Sequence, residues 1–338
     1  MYKIKLTPYR KGLGTIYDRQ TKGHTLTSLD GRYRFYVNEE CPEPDFWVVQ
    51  GKGAREAETC RVAPENTIVL TTEPRSVLIY PQQYLNQFGV VCTCQQETKH
   101  PNVHLSPAIL PWFIGFKSKG RPRPEYSLDY DKLKAMPRME KPKLLSVITS
   151  NKAFTQGHID RMLFVRKLKE HYGDQIDIFG RGFNEFEDKW DILAQYKYHL
   201  VIENSSQPYY WTEKMSDCLL AETFPFYYGC TNMEDYIPRG AFEPINVRQP
   251  EDAIRIIDYA IANNRYENSI HDLLAARELM LDKYNMMEYI VSLCDQLDPS
   301  RPKKDVTIKP CNSSMDWHNL WRYTVERKWY ELKWKLIK

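Results

Sequence analysis

The sequence has no apolar run of the ~20 residues that a membrane helix needs. Its start, Met1-Tyr-Lys-Ile-Lys-Leu-Thr-Pro8, lacks the apolar core of a signal peptide. The chain is therefore expected to be soluble and cytoplasmic. Metal-ligand spacing is also missing. Eight cysteines are scattered over 338 residues, which argues against a disulfide scaffold, and the one close pair, Cys92-Thr-Cys94, has no second pair to complete a zinc site. The eight histidines form no ligand-spaced pair. The single D-x-D, Asp129-Tyr-Asp131, lies beside a proline-rich stretch rather than at a clear strand end. A net charge of +3 is too near balance for a nucleic-acid-binding surface over the whole chain, so no nucleic-acid partner is expected.

What is present is a globular composition, 42% hydrophobic and 27% charged, in a chain long enough for two domains. In the first half, short apolar runs alternate with turns: Asp45–Gln50, Thr67–Thr72 and Gly89–Cys94 read as strands, and Val77–Phe88 as a short helix. The basic, proline-broken stretch Lys117–Pro124 reads as a linker within residues 117–140. The alternation then restarts. Strands are expected at Lys143–Thr149, Gln175–Phe179, Tyr198–Glu203 and Phe224–Tyr228. Helices are expected at 158–172, 190–195, 212–221, 251–263 and 268–296. Alternation of this kind specifies parallel sheets. The expected domains are 1–140, 141–300 and a helical tail at 301–338.

The densest chemistry is Glu203-Asn-Ser-Ser-Gln-Pro-Tyr-Tyr-Trp-Thr-Glu-Lys214. A strand ends on a carboxylate and an amide, an aromatic loop follows, and a helix begins at Thr212. Free amides at a helix start, with Lys214, suit a pyrophosphate. Glu213 could accept hydrogen bonds from vicinal sugar hydroxyls, and the loop aromatics could wall a base or sugar. A capped surface helix with an ordinary Glu–Lys pair is the plainer alternative.

This segment resembles the donor-binding motif of family-10 α-1,3-fucosyltransferases. Ile202-Glu-Asn-Ser205, Tyr210-Trp-Thr-Glu-Lys214 and Phe224-Pro-Phe-Tyr-Tyr-Gly229 follow the family's order, with Trp211 in place of a valine. Upstream, Ser150-Asn151 and Arg161-Met-Leu-Phe-Val-Arg-Lys-Leu168 resemble its S-N…R-x-x-F-V element. The resemblance is strong over residues 143–250 and weak over the first 140. It implies a GT-B fold, with two Rossmann-like α/β domains facing each other across a cleft. It implies transfer of fucose from GDP-fucose to a glycan hydroxyl with inversion, without metal or other cofactor. Donor binding would fall to Ser150, Asn151, Arg161, Glu203, Asn204, Ser205, Tyr210, Glu213 and Lys214. Leu70-Thr-Thr-Glu-Pro74 is similar to the segment holding the family's catalytic glutamate, which makes Glu73 the general base, with Asp45 next in line. Another nucleotide sugar on the same scaffold, or a non-catalytic relative, are the alternatives.

The tail from Asn319 to Lys338 is basic and aromatic, with Trp329, Leu332 and Leu336 at helical spacing. It is expected to pack back on the first domain. A peripheral membrane contact is the other reading.

Overall fold

The computed structural model describes residues 1–8, 14–117, 124–314 and 317–337. Residues 118–123 of the expected linker lie outside these. The chain forms two compact units. One comprises Met1–Pro111, Leu128–Lys134 and Asp282–Leu320, the other Trp112–Ser127, Ala135–Leu281 and Trp321–Lys338.

The first unit is built on a six-stranded sheet of β1 (Tyr2–Thr7), β2 (Tyr33–Val37), β3 (Phe46–Gln50), β4 (Thr67–Leu70), β5 (Val90–Thr93) and β6 (Val103–Leu105). The order is β2-β1-β3-β4-β5-β6, and every pairing is parallel. A parallel strand covered on both faces needs continuous apolar sequence. All residues of β3, β4 and β5 are accordingly buried. Glu58–Val62 pairs antiparallel with Lys304–Ile308.

The second unit carries β7 (Lys143–Ile148), β8 (Ile176–Phe179), β9 (Tyr196–Gln207), β10 (Phe224–Cys230) and β11 (Glu243–Pro244). Their order is β8-β7-β9-β10-β11, again parallel throughout. The expected α/β class, with two parallel sheets in succession, is what the chain has. In both sheets the strand order reverses beside the first strand. A crevice at the carboxyl ends of the strands flanking that reversal is the place where open α/β sheets hold ligands.

The helices that matter here are α1 (Gln156–Tyr172), α2 (Glu213–Leu220), α3 (Pro250–Ala262), α4 (Ile270–Asp282), α5 (Met286–Cys294) and α6 (Trp317–Ile337). The helix expected over 268–296 is broken in two. Asn285 takes an extended backbone, caps Met287 N at 2.9 Å and donates to Gln20 O at 2.6 Å. The break falls where the chain returns to the first unit, so the units part at Leu281/Asp282 and Ala135 rather than near 300 and 140. The tail residues Trp321–Lys338 fall in the second unit, not the first.

The helix expected over Val77–Phe88 is only the turn Gln82–Leu85, because Pro81 opens it. All eight cysteines are free and buried, and burial pushes the Cys92 thiol up. Among the described residues, no helix is long and apolar enough to cross a membrane.

Candidate functional site

At the carboxyl ends of β7 and β9 lies a cavity of about 360 Å³. Four cations line it, Lys152, Arg161, Lys189 and Lys214, against two carboxylates, Glu213 and Asp217. Its apolar lining comes from Ile148 and the Leu200–Ile202 stretch of β9, with Leu193.

Arg161 reaches the cavity from the second turn of α1. Thr155 starts that helix by accepting from His158 N at 3.3 Å. The helix start lies hard against β9: a Cβ on Gly157 would stand 2.1 Å from Asn204 O, so only glycine allows the approach. Arg161 is 6% exposed. Its Nη1 donates to Asn204 Oδ1 at 3.0 Å and its Nη2 to Ser150 O at 3.3 Å. Its Nε is buried with no hydrogen-bond partner. Burial pulls the guanidinium down to about 10, only partly offset by Glu203 at longer range. Arg161 makes no ion pair among the described residues, so a buried positive charge faces the cavity with no carboxylate directly paired to it. Ser150 and Asn204 thus position Arg161. Asn151 is exposed, and its backbone N–H donates to Arg181 O at 3.1 Å.

The Glu203–Lys214 segment is arranged differently from expectation. The carboxylate of Glu203 is fully buried. It accepts from Thr212 N at 2.9 Å, from Thr212 Oγ1 at 2.8 Å and from Lys214 Nζ at 2.9 Å. Glu203 therefore ties the end of β9 to the start of α2. Gly229 makes room, since a Cβ there would stand 2.6 Å from Glu203 Cγ. Two amides expected to face a ligand are used within the protein, because Thr212 N goes to Glu203 and Lys214 N to Thr212 Oγ1 at 3.4 Å.

Two of the loop aromatics expected to form a wall lie in the core instead. Tyr210 and Trp211 are 1% and 4% exposed, and Trp211 packs edge-on against Tyr236 with ring centres 5.7 Å apart. Trp211 in place of valine fills the core. Ser205 is half-buried, within the strand irregularity between Ile202 and Gln207.

Glu213 does line the cavity. Burial raises its carboxyl, but Lys214 and Lys189 outweigh that and hold it below the usual carboxylate range. Lys189 Nζ stands 3.7 Å from Glu213 and 2.6 Å from Asp217. Asp217 also accepts from Phe113 N at 2.7 Å and Ile114 N at 3.1 Å, which fixes Lys189 at the cavity edge. Sequence reasoning missed Lys152, Lys189 and Asp217. No motif marks them, although Asp217 stands one helical turn beyond Glu213 and so shares its face. His199 lines the floor and pairs with Ser146 Oγ at 2.8 Å. Its burial drops the imidazole to about 3, so it is neutral. His158 is likewise buried and pulled down to about 3 by burial and nearby cations.

Glu73 belongs to the first unit, just past the carboxyl end of β4, and is half-buried. Its loop is pinned: Gln95 Nε2 donates to Glu73 O at 3.0 Å and Thr72 N to Tyr80 Oη at 3.1 Å. Asp45 is already committed, to Lys303 Nζ at 2.7 Å and Lys3 N at 2.8 Å. The D-x-D carboxylates are also used. Asp131 accepts from Gly23 N at 2.6 Å, and Asp129 caps Lys132 N at 2.8 Å and pairs with His24 at 3.4 Å.

The second unit is thus a parallel α/β fold with a cation-lined cavity at its topological switch point. Its residues 138–303 match the model described as glycosyltransferase family 10 (fucosyltransferase) C-term. The α-(1,3)-fucosyltransferase FucT of Helicobacter pylori is 31% identical over 94 residues, which are 28% of this chain and 19% of that protein. The GDP-fucose protein O-fucosyltransferase 3 of Danio rerio is 31% identical over 93 residues, 23% of this chain and 20% of its own. The chain thus spans about a fifth of the length of these curated relatives. A solved α1,3-fucosyltransferase with GDP aligns over 85% of this chain and 90% of its own at 15% identity, with a TM-score of 0.48.

Proposed function

We propose that the chain is an inverting, metal-independent glycosyltransferase of the GT-B type that moves fucose from GDP-fucose to a glycan hydroxyl. The observation that carries this reading is the unpaired, buried guanidinium of Arg161 facing a cavity within the family-10 segment. A leaving nucleoside diphosphate gains negative charge, and a preorganised cation in a dry site stabilises it most. Arg161 takes that role, with Lys152 and Lys189 at the cavity edge. Lys214 shares its charge with Glu203 and holds the start of α2. Glu213 is placed to accept from sugar hydroxyls. The acceptor hydroxyl attacks the anomeric carbon from the face opposite the diphosphate, Glu73 removes its proton, and GDP departs with inversion.

The donor assignment is supported by the family-10 match and by the likeness to fucosyltransferases, one of them a GDP-fucose protein O-fucosyltransferase. Metal independence is supported by the cation set and by the engagement of both D-x-D carboxylates within the protein. The test is a transfer assay with GDP-fucose and a panel of glycan acceptors, with and without EDTA. Transfer is expected in both conditions. A strict requirement for a divalent ion contradicts the metal-free mechanism.

An anionic membrane surface is the proposed peripheral partner of α6. Trp321, Val325, Trp329, Leu332 and Leu336 are exposed along it. Residues 319–338 carry six Lys or Arg against two Glu. Apolar insertion with a basic flank is how such helices hold anionic lipid. The double variant Trp329→Ser/Leu336→Ser is expected to stay folded and to lose co-sedimentation with phosphatidylserine vesicles. Unchanged co-sedimentation removes this partner.

A further inference from the structure

Behind the Arg161 cavity runs the irregular segment Thr149–Thr155, which joins β7 to α1 and supplies Thr149, Ser150 and Lys152 to the lining. One flank of it is pinned by backbone. Thr149 N donates to Phe179 O at 2.8 Å and Asn151 N to Arg181 O at 3.1 Å. A Cβ on Gly180 would stand 1.7 Å from Thr149 O, so the two backbones are in direct contact.

The other flank meets α6. Arg327 lies over the ring of Phe154 at 4.3 Å. Phe154 in turn packs on His158 with ring centres 4.2 Å apart. Lys333 Nζ donates to Gln156 Oε1 at 2.8 Å, and Arg166 sits 5.8 Å over Trp334. Arg327, Tyr330, Lys333 and Trp334 are half-buried, at i, i+3, i+6 and i+7, while Val325, Trp329 and Leu332 are exposed. One seam of α6 thus faces α1 and the segment before it.

We propose that α6 is a clamp on the nucleotide loop: Arg327 on Phe154 and Lys333 on Gln156 hold Thr149–Thr155 and the start of α1 in the form that presents Ser150 and Arg161 to the donor. Both are positioning residues, since neither lines the cavity. The effect is entropic. A loop ordered before binding spares the ligand the cost of ordering it, and a loop released from α6 must be ordered by the donor itself. The loss therefore falls on donor affinity and not on the chemical step. The clamp rests on the donor reading above, so its test includes a readout that needs no nucleotide.

The experiment compares Arg327→Ala, Arg327→Lys, Lys333→Ala and Glu331→Gln in the full chain, by GDP calorimetry, donor kinetics and amide hydrogen exchange over residues 149–158. Arg327→Ala is expected to weaken GDP roughly 3- to 10-fold, the scale of a partly buried cation–π contact. KM for the donor should rise with kcat unchanged, and exchange over 149–158 should become faster. Arg327→Lys keeps the cation and should stay within about twofold of the parent. Glu331→Gln, at an exposed position of α6, should match the parent. Lys333→Ala removes the Gln156 contact, together with a cation–π contact to Trp329 within α6, and serves if Arg327→Ala does not fold. Parent-like GDP affinity and exchange in both alanine variants overturn the clamp, as does an equal loss in Glu331→Gln. Faster exchange in Arg327→Ala, in a parent that does not bind GDP, keeps the clamp and removes the donor reading.

Discussion

Lys214→Ala is expected to damage both the fold of the second unit and its donor affinity. Lys214 is the only cation paired with Glu203 among the described residues, and Glu203 is fully buried. Removing one partner of a buried pair leaves an uncompensated charge, which costs about 3–5 kcal/mol. Lys214 itself is 30% exposed, so water reaching the vacated space brings the expected loss toward the lower end, about 3 kcal/mol. Thr212 still offers Glu203 two donors, which is why collapse is not expected. GDP affinity should fall by roughly a further 10-fold, the scale of one charge-assisted hydrogen bond. The double variant Glu203→Gln/Lys214→Met, which removes both charges, should recover much of the stability and none of the affinity. Denaturant titration and calorimetry on the pair of variants separate the two effects. Equal stability of Lys214→Ala and the parent contradicts the buried-pair account.

Glu73→Gln should leave GDP binding untouched and reduce transfer by ~10²–10⁴-fold, the usual scale for a lost general base. The substitution keeps the shape of the side chain. The backbone bonds that hold the loop, Gln95 to Glu73 O and Thr72 N to Tyr80, do not use the carboxylate. A fold defect is therefore not expected, and the loss should appear in kcat. Asp45 is no substitute base, since its carboxylate is held by Lys303 and Lys3 N. Near-parent turnover in Glu73→Gln contradicts the assignment of the base.

Much of the second unit was legible in the sequence, because parallel strands buried on both faces leave continuous apolar runs. Lys143–Ile148, Ile176–Phe179 and Phe224–Cys230 lie where those runs are. In the first unit, Tyr2–Thr7 and Tyr33–Val37 escaped notice. Tyr2-Lys-Ile-Lys-Leu-Thr7 alternates like a half-exposed strand, and its order in the sheet depends on partners far away in sequence. The motif singles out Arg161 and Lys214, and both line the cavity, but it does not show that Asn204 and Glu203 are their partners. A carboxylate at a strand end looks the same in sequence whether it faces a ligand or, like Glu203, a helix start. The difference is made by Gly229 and Thr212, which give Glu203 room and donors inside. Tyr210 and Trp211 misled for a related reason, since an aromatic in a polar loop carries no sign of which way it turns. Lys189 was invisible because its significance depends on Asp217, 28 residues on.

The central claim is that the cavity around Arg161 binds a guanosine diphosphate. Titration calorimetry of the full chain with GDP and with UDP tests it most directly. GDP is expected to bind, at least about 10-fold more tightly than UDP, a difference of about 1.4 kcal/mol, with Arg161→Ala weakening GDP strongly. Tighter binding of UDP, or GDP binding that survives Arg161→Ala unchanged, contradicts it.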